Sequence, residues 1–173
     1  MFMESEEHLE IVDYKGEVIG YAPRHRIHGN PSLMHRVVHV LVLNTEGGIL
    51  LQKRSQKKDV APGKWDTSVG GHVGIGEDLL SSSKREMHEE LGIIGYETEY
   101  LYSYIHSNEY ETELVTTYRC TCEQGFSCNA DEIDEVRFWS HDEIQNAIGQ
   151  QILSDNFEHE FKRYLGYVSN NLL

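Results

Sequence analysis

Between Val37 and Leu43 the chain is almost wholly apolar, interrupted only by His39. That pattern predicts a strand buried on both faces. Upstream, EIVDY, Lys15-Gly16 and EVIGY read as a strand, a turn and a strand, so a β-hairpin is expected over about 10–21. Residues Arg24 to Met34 carry the breakers Gly29, Asn30 and Pro31 and read as irregular. After a turn at Asn44–Gly48 the chain returns as a strand at Ile49–Lys53. A loop through Pro62-Gly63, a short strand near Thr67–Val69 and a glycine-rich loop follow. A helix is predicted over Leu79–Leu91, with Asp78 as N-cap and Gly92 as its stop. On it Leu80, Met87 and Leu91 fall within about 40° and form the expected core stripe. Further strands are predicted at Glu97–Ile105, Leu114–Cys122 and Val136–Trp139, and helices at Asp142–Ile148 and Ser154–Tyr167. Strands interleaved with helices indicate an α/β (or α+β) sandwich around a mixed sheet. With no repeat and no Pro/Gly-rich linker, 1–173 reads as a single domain.

Charge narrows the partners. The 173 residues carry a formal net charge of −14, which disfavours nucleic acid except at a local basic patch. Lys53, Arg54, Lys57, Lys58 and Lys64 form such a patch, five of the fifteen basic residues within twelve positions. It suits a small anionic molecule, and equally a solvated loop. No apolar run is long enough to span a membrane. The acidic start, MFMESEEHLE, lacks the basic-then-apolar order of a signal peptide, so a cytoplasmic protein is expected. Cys120, Cys122 and Cys128 read as free thiols, because their spacing is not that of a zinc ribbon.

The chemistry concentrates in GHVGIGEDLLSSSKREMHEELGI, Gly71 to Ile93. On a helix Glu86, Glu89 and Glu90 fall within about 100° of one another, roughly opposite the apolar stripe. Like charges at i,i+4 repel. One reading is an exposed acidic face. The other is a site for a hard divalent cation, which takes carboxylate oxygens and shares its shell with substrate phosphates. Arg85 can orient one of these carboxylates, and Gly71, Gly74 and Gly76 allow a ligand to approach the backbone.

These residues occur at the offsets of a known motif, and the segment resembles the Nudix box. Gly71, Glu77, Arg85, Glu86, Met87, Glu89, Glu90, Gly92 and Ile93 fill its nine defined positions. The resemblance implies a Nudix-type α/β/α sandwich over nearly the whole chain. It implies Mg2+-dependent hydrolysis, with Mn2+ as a substitute, of a nucleoside diphosphate derivative or similar small diphosphate. It also implies that Glu86, Glu89 and Glu90 bind the cations with the Gly71 carbonyl, that Glu77 supports the site and that Arg85 orients a catalytic carboxylate. Glu86, Glu89 and a loop glutamate are all candidates for the general base. Dimers are common in the superfamily, so a homodimer is a further expectation.

The surroundings resemble one branch, the isopentenyl diphosphate isomerases and their hydrolase cousins. KRSQKKDVAPGKWDTSVGGH is similar to the isomerases' basic-loop and Gly-His segment. By this resemblance Arg54 and Lys58 hold substrate phosphate. His28, His35, His72, Glu111 and Glu113 would form a second metal site, although each also reads as a solvated or bracing side chain. Two departures favour hydrolysis. Gly70 stands where the isomerases need a catalytic cysteine, and Glu86 where they carry arginine. His39, inside the apolar run, is expected to be a hydrogen-bonded core histidine. Trp65 and Tyr110 are read as core or rim aromatics that could also shape specificity.

Overall fold

The computed structural model describes residues 6–171. Residues 1–5, with Glu4 of the acidic start, and residues 172–173 lie outside the described residues. The elements are β1 (His8–Val12), β2 (Val18–Pro23), α1 (Arg24–Ile27), β3 (His35–Leu43), β4 (Ile49–Arg54), β5 (Trp65–Asp66) and β6 (Val69–His72). They continue with α2 (Leu79–Leu91), β7 (Glu99–Ser107), β8 (Thr112–Thr121), β9 (Ile133–Trp139), α3 (His141–Ala147) and α4 (Asp155–Asn171).

The mixed sheet is organised around β3. Along one side β3 runs parallel to β8, from His35 opposite Glu113 to Leu43 opposite Thr121. Along the other it pairs antiparallel in turn with β1 at His35, with β6 at Val37–Val40 and with β4 at Leu43. The partners on that side therefore diverge from β3. β4 continues the sheet to β5 and β9, and β7 pairs with β8.

Alternation along β3 explains the layers. Val38, Val40 and Val42 join Leu50, Val69, Met87 and Leu91 in a core under α2. Leu41 faces the other way, with Ile49, Leu51, Trp65, Trp139, Phe157 and Phe161, under α3 and α4. The α/β/α sandwich and the 10–21 hairpin match the pattern reading. The stretch from Arg24 is less irregular than expected, since Arg24–Ile27 forms one helical turn whose Ile27 is buried against Leu9 and Ala22.

Helix α2 has the expected caps. The Ser81 amide donates to Asp78 Oδ1 at 2.9 Å, and Gly92 closes the helix at φ 68°. Its rotation corrects the expected stripe. Leu80 is exposed and Leu79 packs on the core instead. Ser82, Ser83 and Glu90 are buried with Met87 and Leu91. The two small serines let the helix lie close on the sheet, so its glutamate side turns inward and does not stand opposite the apolar stripe.

Candidate functional site

A cavity of about 540 Å³ opens where β6 and β4 diverge from β3, between α2 and the N-terminus of α4. Its walls carry Glu86, Glu89, Glu90, Glu111, Glu113 and Glu132 against Arg24, Arg54, Lys58, Lys64 and Arg85.

Arg85 organises the α2 wall. Its Nε and Nη2 donate to the two oxygens of Glu77 at 3.0 and 2.9 Å. Its Nη1 donates to Glu86 at 2.6 Å and to Glu89 at 3.1 Å, and Nη2 also reaches the His72 carbonyl at 3.0 Å. The planar fork thus ties the loop after β6 to three carboxylates. Arg85 holds Glu77 down to about 2, fully ionised at neutral pH, and Glu77 also accepts the Gly74 amide. Gly71 lies against the Glu86 carboxylate so closely that a Cβ there would sit 2.1 Å from its carboxyl carbon. A residue with a Cβ there would have to push that carboxylate away from Arg85.

Glu90 is only 6% exposed. One oxygen, Oε2, accepts from Gln52 Nε2 at 3.0 Å and from the Gly70 amide at 3.2 Å. Burial, reinforced by the charge of Glu86, lifts its carboxyl to about 8. Burial also raises Glu86, against the opposing pull of Arg85. Clustered, desolvated carboxylates that want a proton in the cation-free protein are what a cation would stabilise. This corrects the reading of a solvated acidic face, since only Glu89 of the three is well exposed, at 55% of its side chain.

A second cluster lies across the cavity. Ligand-capable atoms of His28, His35 and His72 lie within 4.8 Å of one another, as do those of His35, Glu111 and Glu113. His28 Nε2 stands 3.1 Å from His72 Nε2. His35 is fully buried, and neither ring nitrogen is hydrogen bonded. Such an orphaned imidazole costs stability unless something fills the gap. Burial, with the neighbouring histidines, lowers His35 to about 3 and His28 to about 4, so both imidazoles are neutral at pH 7. Burial and Glu111 together raise Glu113 to about 7, and burial raises Glu111. Glu7 approaches His72 Nδ1 at 3.2 Å and is drawn down to about 2 by that hydrogen bond. Donors of this kind, neutral imidazole plus carboxylate around one point, fit a divalent transition metal.

The basic patch divides. Arg54, Lys58 and Lys64 line the cavity, paired with Asp66, Glu132 and Asp155 at 3.3, 3.0 and 4.0 Å. Lys57 lies outside it, on exposed Asp131. Trp65 is a core residue, edge-on to Trp139. Tyr110 is 40% exposed, edge-on to His28. Cys120 and Cys122 are buried in the core and Cys128 packs against it.

His39 is hydrogen bonded as expected, yet it also lines the cavity. Its Nδ1 lies 2.6 Å from Glu160 Oε2, and Thr117 Oγ1 donates to Glu160 Oε1 at 2.5 Å. Sequence reading passed over Glu160. Its signal was a lone carboxylate on the Phe157–Phe161–Tyr164 face of α4. Gln52, Asp66 and Asn156 were missed as well, because nothing local sets them apart.

Comparison with known proteins places these observations. The NUDIX domain model matches residues 33–161. The chain is 33% identical over 140 residues to the Nudix hydrolase YfcD of Escherichia coli (strain K12), covering 81% of this chain and 77% of that protein. It is 30% identical over 162 residues to Nudix hydrolase 3 of Arabidopsis thaliana, of which it spans only 21%. An isopentenyl-diphosphate Delta-isomerase of Streptomyces griseus is 38% identical over 85 residues, 49% of this chain and 43% of the isomerase. Among solved structures, DR0079 of Deinococcus radiodurans superposes with a TM-score of 0.80 at 21% identity, covering 91% of this chain and 98% of that one. The NUDIX domain of Shewanella oneidensis NrtR, complexed with ADP ribose, gives 0.60 at 16% identity, covering 80% and 88%.

Proposed function

This chain belongs to the Nudix hydrolase family, and from that premise we propose that it hydrolyses, with a divalent cation, the diphosphate bond of a nucleoside diphosphate derivative or similar small diphosphate. The observation that carries the reading is the α2 wall. Glu86, Glu89 and buried Glu90 converge beside Gly71, and Arg85 holds Glu86 and Glu89 in place.

In this reading Glu86, Glu89, Glu90 and the Gly71 carbonyl hold Mg2+, with Mn2+ as a substitute. When bound, the cation would supply neutralisation of the diphosphate charge, which otherwise repels a nucleophile, and a lowered pKa for the attacking water. Arg85 and Glu77 fix the carboxylates. Glu86 or Glu89 accepts the proton of the attacking water, and Glu86, desolvated and raised, is the better matched of the two. Arg54 and Lys58 receive substrate phosphate, exchanging their carboxylate partners for phosphate oxygens. His28, His35, His72, Glu111 and Glu113 hold a second cation on the far wall. The chain acts as one domain in this reading, because cavity residues come from Glu7 through Asn156.

The His/Glu cluster also favours a second reading, isopentenyl diphosphate isomerisation. Gly70 offers no side chain to move a proton there. The test is a panel of nucleoside diphosphate derivatives plus isopentenyl diphosphate, with Mg2+ and with EDTA, followed by phosphorus NMR. Mg2+-dependent splitting of a diphosphate supports hydrolysis. Isomerised isopentenyl diphosphate with no phosphate released overturns it.

A further inference from the structure

The cavity floor holds a charged pair that the hydrolase reading does not use. His39 and Glu160 are 5% and 0% exposed, 121 residues apart in sequence, and join β3 to α4 at 2.6 Å. They sit beside Leu41, Phe157 and Phe161, where an apolar pair would pack as well. A buried ion pair is often no better for stability than hydrophobic replacements. Stability alone therefore does not account for this one.

Its orientation is the second clue. Glu160 takes Nδ1, and Thr117 fixes Glu160 in turn, so the ring cannot swing. The opposite edge, Cδ2 and Nε2, faces Gly70. A Cβ built on Gly70 would lie 3.1 Å from Cδ2 and 3.4 Å from Nε2. Gly70 and His39 both line the cavity, and they are register partners on β6 and β3. The missing side chain at Gly70 thus leaves that edge open to the cavity. Nε2 has no side-chain partner among the described residues.

We propose that His39 touches the substrate, its Nε2–H donating a hydrogen bond to a phosphate oxygen of the bound diphosphate, with Glu160 as its positioning residue. The inference rests on the diphosphate reading above. The pairing with Glu160 overcomes the effect of burial and holds His39 protonated, up to about 9. In a cavity crowded with carboxylates, where Arg54, Lys58 and Lys64 are themselves paired with acidic side chains, a fixed cationic donor gives an anionic oxygen one more partner. A fixed donor of this kind aimed at developing charge contributes about 10²–10³ to turnover.

The test has two parts, both on the full chain with Mg2+. Histidine-15N NMR is recorded while methylenediphosphonate, a non-hydrolysable diphosphate, is added. The His39 Nε2 signal is expected to shift, and the shift to weaken in Glu160→Gln. Turnover is then compared for wild type and for His39→Leu/Glu160→Leu, which removes the pair while filling the space. A drop in kcat of about 10²-fold is expected, with a smaller change in KM and a native circular dichroism spectrum. A His39 signal indifferent to the probe overturns the proposal. So does a folded double variant with kcat within about threefold of wild type, well short of that loss. Should wild type split no diphosphate at all, the hydrolase reading fails, while the NMR titration still decides whether His39 binds one.

Discussion

Replacing Glu90 with Gln separates a cation site from an acidic surface more cleanly than any other change to this protein. The carboxyl is lifted from 4.5 to about 8 by burial and by Glu86. A raised acid takes up its proton in the folded state first, so stability falls as pH rises from 4.5 through about 8. At pH 7 without a cation, that pull costs the wild type on the order of 3 kcal/mol. The side chain is almost wholly buried, so solvent screening does not reduce the figure much. Glutamine keeps the shape, and its one carbonyl oxygen can accept from both Gln52 and the Gly70 amide, as Oε2 does now.

Glu90→Gln should therefore be more stable than wild type in EDTA at pH 7. For a chain of this size about 3 kcal/mol corresponds to roughly 6–12 °C in melting temperature. The gap should close as pH falls to 4.5 and below, where the carboxyl is protonated in the folded and increasingly in the unfolded state. Mg2+ at about 1,000 times its Kd should reverse the trend, because it then stabilises wild type by about 4.1 kcal/mol and the variant much less. Turnover should fall by orders of magnitude throughout. Scanning fluorimetry at pH 4.5 and 7, with EDTA and with Mg2+, reads all of this. A variant that melts below wild type in EDTA at pH 7, or that melts within a degree of it and keeps its turnover, refutes the reasoning. A merely solvated glutamate would change stability by a few tenths of a kcal/mol.

Three further outcomes are expected. Cation binding should release protons near pH 7, because Glu90 and Glu113 sit at about 8 and about 7 without it; calorimetric heats of Mn2+ binding should differ between PIPES and Tris buffers, and equal heats would contradict the site. Gly71→Ala should drive a methyl into the Glu86 carboxylate, 2.1 Å from its carbon, and lower kcat about 10²-fold while circular dichroism stays native; unchanged kcat would show that the close approach is idle. The His39–Glu160 pair should stabilise the fold fully below pH 6.5 and lose that contribution as pH rises through about 9; the melting temperature of wild type relative to His39→Leu/Glu160→Leu should fall across that window, and a constant difference would mean His39 is not charged.

What could be read from the chain, and what could not, follows from how far each signal reaches. Strand β3 and helix α2 announced themselves, because an apolar run and a capped amphipathic segment are local patterns. Glu77, Arg85 and Glu86 were legible for the same reason. They sit on one loop and one helix, and their spacing alone brings them together. The rotation of α2 was not legible. It depends on Ser82 and Ser83 being small enough to lie on the sheet, and this turned Leu80 outward and Glu90 inward. That same rotation decides whether the helix glutamates are a solvated face or a desolvated cluster, so the sharpest chemical fact about the site came from packing and not from the motif. His39 shows the limit from the other side. An imidazole in a buried strand was rightly read as a satisfied one, but its partner Glu160 lies on the last helix, and the glycine that bares its other edge lies on β6. Three separate elements define that group, and no window of sequence contains them. The rest of the cavity wall is of this kind, drawn singly from α1, the β7–β8 turn and the start of α4. The family motif is therefore written in one stretch of sequence, while the cavity that surrounds it is written only in the fold.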